Sequence, residues 1–157
     1  PLAVWMRITS PSLTVSAGGG GIDCLQDVTA PEELGFWSQT LTGSTPLRIT
    51  SVRALGHGVR ASGGLLVPVV GGSVNSTGVT DWPPELDRGL RREIDWSART
   101  RIVGAKVPVQ RAMLPMVHVH AVSGGKLDGV ELGYRTDDGR DGTVRIPMRV
   151  RFSRTTC

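Results

Sequence analysis

Val144-Arg145-Ile146-Pro147-Met148-Arg149-Val150-Arg151-Phe152 decides the fold class. Five apolar residues alternate without a break with Arg145, Pro147, Arg149 and Arg151. A period of two marks a strand with one face on a core and the other in water. Upstream, Val130, Leu132 and Tyr134 alternate with Glu131, Gly133 and Arg135. Between these runs lies Thr136-Asp137-Asp138-Gly139-Arg140-Asp141-Gly142, a series of turn formers. The stretch from Val130 to Phe152 therefore reads as an antiparallel hairpin.

The rest of the chain has the same texture. Leu2–Thr9 reads as a first strand ended by Ser10-Pro11, and residues 22–28, around Cys24, as a short edge strand. Leu34–Thr42 and Leu47–Leu55 read as a pair, and the alternation of the second changes phase near Ser51, as a β-bulge makes it do. Val59–Val70 follows, with Pro68 placing it at an edge or breaking it. Asp81-Trp82-Pro83-Pro84 opens the best helical stretch, with Leu86, Leu90 and Ile94 at four-residue spacing. Ser97–Ala105 reads as a strand with Arg99 and Arg101 facing out. Met116–Val122 is another, turned toward the final hairpin by Ser123-Gly124-Gly125. Seven to nine strands, frequent turn signals and no βαβ rhythm predict an all-β antiparallel sandwich with one short helix in a connection.

The 157 residues suffice for one domain, 1–157, with a sizeable core; a domain near that size buries roughly 70% of the surface its unfolded chain exposes. The 21 glycines and 10 prolines favour turns and short strands over long helices. The net charge of +4 is almost wholly arginine, since Lys106 and Lys126 are the only lysines. A GC-rich coding sequence explains that bias more simply than nucleic-acid binding. No run of about 18 apolar residues is present to span a membrane.

Cys24 and Cys157 lie far apart and form no CxxC, which does not suggest zinc. A bridge between them is favoured over two free thiols, because a final cysteine would otherwise be mobile and reactive. Such a bridge implies an oxidising compartment, and a signal peptide or anchor removed before Pro1 would fit it.

In its order of strands, its Trp-Pro loop and its terminal hairpin, the chain is similar to immunoglobulin-like sandwiches of exported bacterial proteins of unknown role. The resemblance lies in layout. The Cys…Trp…Cys core signature is missing, since Cys157 follows the last strand, and no functional residue is carried over.

Several constellations point to chemistry. His118 and His120 are two apart on a strand, so both rings project to one side, with Met116 on the same face. Imidazole with thioether suits copper, and Met113 and His57 are further donors if the fold brings them near. The plainer reading puts Val117, Val119 and Ala121 in the core and leaves the histidines to water. Asp137, Asp138 and Asp141 around Gly139 and Gly142 can hold Ca²⁺ or simply form a hairpin turn. Arg145, Arg149 and Arg151 form an outward ladder suited to an acidic or phosphate-bearing polymer, or to guarding an edge. Among the tryptophans, Trp37 and Trp96 read as core, while Trp5 and especially Trp82 are left to stack on a sugar. Asn75-Ser76-Thr77 is a glycosylation sequon.

No GxSxG, P-loop, GxGxxG or HExxH pattern occurs. The sequence therefore predicts a non-enzymatic, exported module for protein interaction or structural assembly, without a cofactor and without nucleic acid. Copper binding through His118, His120 and Met116 is the first alternative, and binding of an envelope polymer or carbohydrate the second. The edge at Val67–Val70, the basic last strand and the apolar N-terminal segment are the expected partner surfaces.

Overall fold

The computed structural model describes residues 11–16, 24–71, 74 and 77–157. The expected strand Leu2–Thr9, Trp5 and the sequon residues Asn75 and Ser76 lie outside these. Among the described residues, ten strands form one sheet of mixed orientation. They are β1 (Leu13–Val15), β2 (Cys24–Leu25), β3 (Glu32–Trp37), β4 (Leu41–Gly43) and β5 (Leu47–Pro68) in the first half. The second half contributes β6 (Gly78–Asp81), β7 (Thr100–Arg101), β8 (Lys106–Val107), β9 (Met113–Thr136) and β10 (Asp141–Phe152). One short helix, α1 (Arg88–Glu93), lies in a connection, as expected.

The hairpin is present. β9 and β10 pair antiparallel from Arg135↔Asp141 to Lys126↔Arg151. In the turn, the Thr136 N–H donates to the Arg140 carbonyl at 2.8 Å, and Gly139 supplies the positive φ of 87°. Along β10, Ile146, Met148, Val150 and Phe152 are buried, while Arg145, Pro147, Arg149 and Arg151 are exposed.

Two strands are much longer than expected. Leu47–Leu55 and Val59–Val70, separate strands by their sequence pattern, merge into the 22-residue β5, which ends at Pro68. Met116–Val122 runs on through Ser123-Gly124-Gly125 as part of the 24-residue β9, so that tripeptide is a bend within one strand and not a turn between two. β5 and β9 pair antiparallel along their whole length, from Leu47↔Thr136 to Pro68↔Met113. Their ladder slips at Leu55/Gly56 and again at His57/Val59. There, backbone lies against backbone: a Cβ on Gly56 would sit 1.9 Å from the Lys126 carbonyl oxygen, and one on Gly125 would sit 2.8 Å from that of Gly58. Gly58 and Gly124 adopt φ of 62° and 78°. The two strands thus bend together at a corner that only glycine permits. The phase change read near Ser51 is a register shift between Ile49 and Ser51.

On its other edge β9 carries β3 along residues 117–121 and β10 along 126–135. β2 adds to β10 in parallel, Cys24↔Arg151, which makes the sheet mixed and not purely antiparallel. The main core gathers Leu34 and Phe36 from β3, Ile49 from β5, Val119 and Leu132 from β9 and Phe152 from β10. A second cluster on the opposite face packs Leu90 and Ile94 against Trp37, Val67, Leu114 and Met116.

Three local expectations differ. Leu34–Thr42 is split, with β3 ending at Trp37 and β4 beginning at Leu41. α1 starts after Asp87 and not at Pro83-Pro84, because the Asp87 carboxylate caps it, accepting from the Leu90 N–H at 2.7 Å. Ser97–Ala105 is not a strand: Trp96–Ala98 is a 3-10 turn, and Thr100–Arg101 alone pairs with β5. Arg99 lies outside β7 with its guanidinium 4.6 Å from the Trp96 ring centre.

Candidate functional site

The alternation of β9 buries Val117, Val119 and Ala121 in the core and turns His118 and His120 to the other face. β3 pairs beside them, Glu33 opposite His120 and Gly35 opposite His118. Register alone therefore carries Glu33 to the two histidines. Its carboxylate spans both: Oε2 accepts from His118 Nε2 at 2.5 Å and Oε1 from His120 Nδ1 at 2.8 Å. These bonds, that of His120 foremost, hold the Glu33 carboxyl below the ordinary carboxylate range against a smaller opposing effect of desolvation.

Trp82 completes the cluster. Its ring stacks on His118 with centroids 4.4 Å apart and planes within 6°. Gly35 makes room for it, since a Cβ there would lie 3.2 Å from the indole. Trp82 is thereby half-buried, not the free platform expected of it. Beside it, Ser62, Gly63, Arg101, Val103 and His118 line a cavity of about 550 Å³.

Met116 shares the face of the histidines, but its side chain is fully buried in the second cluster. Met113 belongs to the main core, and His57 is exposed at the glycine corner opposite Lys126. Those donors do not converge with His118 and His120. Among the described residues, no group of three or more His, Cys, Asp or Glu side chains is spaced to hold a metal ion. Both oxygens of Glu33 are spent on imidazoles, and no hydroxyl or thiol among the described residues hydrogen-bonds to either ring. A nucleophile–base pair is therefore not assembled there.

The acidic loop is tied to cations of the chain itself. Asp138 accepts from Thr136 and Arg140, which lower its carboxyl pKa in that order. Arg135 donates to Asp141 at 2.7 Å through Nε and at 3.2 Å through a terminal nitrogen, lowering the Asp141 pKa. Asp137 donates its backbone N–H to the Pro46 carbonyl. The arrangement is that of a braced hairpin end. Trp37 is buried, and Trp96 lies under Arg99.

Arg145, Arg149 and Arg151 are all exposed on the outward face of β10. Cys24 on β2 is disulfide-bonded to Cys157, with Cα atoms 6.2 Å apart, so the last residue is tied to the strand that flanks β10. Neither cysteine is free. No helix among the described residues is long and apolar enough to cross a membrane.

Sequence reasoning missed Glu33, the residue that organises the histidines. Its only signal was its place at the start of an apolar run, and the pairing of β3 with β9 crosses too much chain to be read from spacing. A scan against protein-family models and a search of the curated proteins gave no match to this chain.

Proposed function

We propose that the chain is a non-catalytic module of the cell envelope or extracellular space, working by holding a protein partner or by joining a larger assembly. The observation that carries this reading is the outer edge of β5. On that side β8 pairs only Leu47 and Arg48, and β7 only Leu65 and Leu66. From Ser51 to Ala61, no strand among the described residues covers the edge. Such an edge is a template for strand addition, in which main-chain hydrogen bonds supply affinity and side-chain pockets supply choice. The Cys24–Cys157 bridge supports a place outside the reducing cytoplasm. In fold, we read the sheet, bent over one core, as a variant of the immunoglobulin-like sandwich, an assignment supported by the Phe36–Phe152 contact.

Copper handling through His118, His120 and Met116 has less support. The Met116 sulfur is sealed in a core, and each imidazole already donates to Glu33.

Amide hydrogen exchange on the disulfide-bonded chain tests the leading reading. Outward-facing amides in 51–61 should exchange quickly in the isolated chain and become protected in the oligomer or complex recovered from its native source. Turnover of a small substrate that is lost on Glu33→Gln or His118→Ala would overturn it.

A further inference from the structure

Basic side chains line one face of the sheet. Cross-strand register lines up charges outside the β5–β9–β10 ladder. Arg48, Arg135 and Asp141 make one row, and Arg53, Glu131 and Arg145 make the next. Past a bulge, Lys126 faces Arg151, with Asp128 bound to Lys126 and Arg149 exposed between the rows. Seven of the chain's 18 basic residues and three of its 14 acidic residues lie there. Within these rows the basic side chains outnumber the acidic ones by four.

The three carboxylates are already matched: Asp141 by Arg135 at 2.7 Å, Glu131 by Arg53 at 3.0 Å and Asp128 by Lys126 at 3.2 Å. Arg48 donates to the Gly104 carbonyl. Arg145, Arg149 and Arg151 are left with no carboxylate partner among the described residues. They follow one another along a single strand, where alternate residues stand about 7 Å apart. The Arg145 side chain lies across Gly129, where a Cβ would be 3.1 Å from its Nε.

A file of guanidinium groups complements a chain of anions better than a plane of them. Among the described residues the exposed large apolar side chains, Val70, Val103 and Val109, lie off these rows. Guanidinium pairs with phosphate through two parallel hydrogen bonds, which an ammonium does not offer. We propose that the outward face of β10 binds a linear phosphodiester polymer of the cell envelope through Arg145, Arg149 and Arg151. The proposal rests on the extracytoplasmic reading above, since inside a cell the same surface would meet nucleic acid.

The test is binding of the intact, oxidised chain to soluble poly(glycerol phosphate), measured across a salt series. Three phosphate contacts predict a log–log salt slope of about −2 to −3. Replacing Arg145, Arg149 and Arg151 together by Gln should weaken binding by about tenfold or more and flatten that slope, at an unchanged melting temperature. R91Q/R92Q on α1 serves as the control and should bind as the parent does. Each single substitution should fall between parent and triple variant, which separates loss of contacts from loss of fold. Absence of binding, a triple variant that binds as well as the parent, or binding to anionic phospholipid vesicles but not to the polymer would overturn the proposal. The thiol state of the same sample is read alongside. A bridged protein that fails to bind sinks this proposal alone, whereas free thiols in protein from the native source would sink the reading beneath it.

Discussion

Phe36 and Phe152 meet edge to face, with ring centroids 6.1 Å apart and planes at 72°. Phe36 pairs with Val117 on β9, and Phe152 follows Arg151, which pairs with Lys126 on the same strand. A straight strand would hold positions 117 and 126 about 30 Å apart. The rings touch because β9 bends between them at Gly124 and Gly125, and β5 bends beside it at Gly56 and Gly58. One glycine corner therefore brings two distant strands onto a single core.

Alanine at the corner should be severe. Gly56→Ala places a Cβ 1.9 Å from the Lys126 carbonyl oxygen, at a φ of 140°. Backbone must move on both strands, so a loss of about 3–4 kcal/mol is expected in chemical denaturation. Gly63→Ala, at a φ of 82° but with nothing within 4 Å, should cost only about 1–2 kcal/mol. Equal costs at the two positions would contradict the corner.

The Phe36–Phe152 contact makes its own prediction. Each ring is almost fully buried, and truncation of either to alanine should cost about 3–5 kcal/mol. A double-mutant cycle should return a coupling of about 0.5–1.5 kcal/mol, the range for a direct aromatic pair. Strict additivity would mean that the two strands do not share a core.

The Cys24–Cys157 bridge closes a separation of 133 residues. The chain-entropy model assigns such a loop about 5 kcal/mol. The C24S/C157S variant should accordingly lower the denaturation midpoint by the equivalent of about 3–5 kcal/mol, and reductant should do the same to the parent protein. A midpoint indifferent to both would show that the bridge does not constrain the unfolded chain.

Glu33 makes the fold sensitive to acid. Its carboxyl pKa is lowered by His120 first and His118 next, relative to an ordinary 4.5. A carboxyl depressed in the folded state contributes stability above its unfolded value and loses it as pH falls through its folded value. Melting temperature should therefore fall below about pH 4.5 more steeply in the parent than in Glu33→Gln. The side chain is 47% exposed, so solvent screening keeps the difference small. Parallel acid limbs would mean that Glu33 does not hold the histidines in solution.

The sequence disclosed those features that depend on local alternation. β10, its turn, the bulge near Ser51 and the buried Leu90 of α1 all follow from neighbours in the chain, whereas Leu86 precedes the helix and Ile94 follows it in extended conformation. The bent strands were harder to read, because Gly124-Gly125 carries the same local signal whether it ends a strand or kinks one. What separates the two outcomes is the matching Gly56 and Gly58 on β5, nearly seventy residues away. The His118–His120 pair stood out by its spacing, but Glu33 joins it through cross-strand register. Met116 looked equivalent to the histidines because alternation assigns a face and not a depth; the packing of α1 over that end of the face buries it.

The proposed role outside the cytoplasm depends on the Cys24–Cys157 bridge being present in the native protein. The most direct test is the intact mass of the chain taken from its native source, denatured, with thiols blocked before and after reduction. The account predicts that no thiol is labelled before reduction and two are labelled after it, with Cys24 and Cys157 recovered in one cross-linked peptide pair. Two thiols labelled without reductant would contradict it.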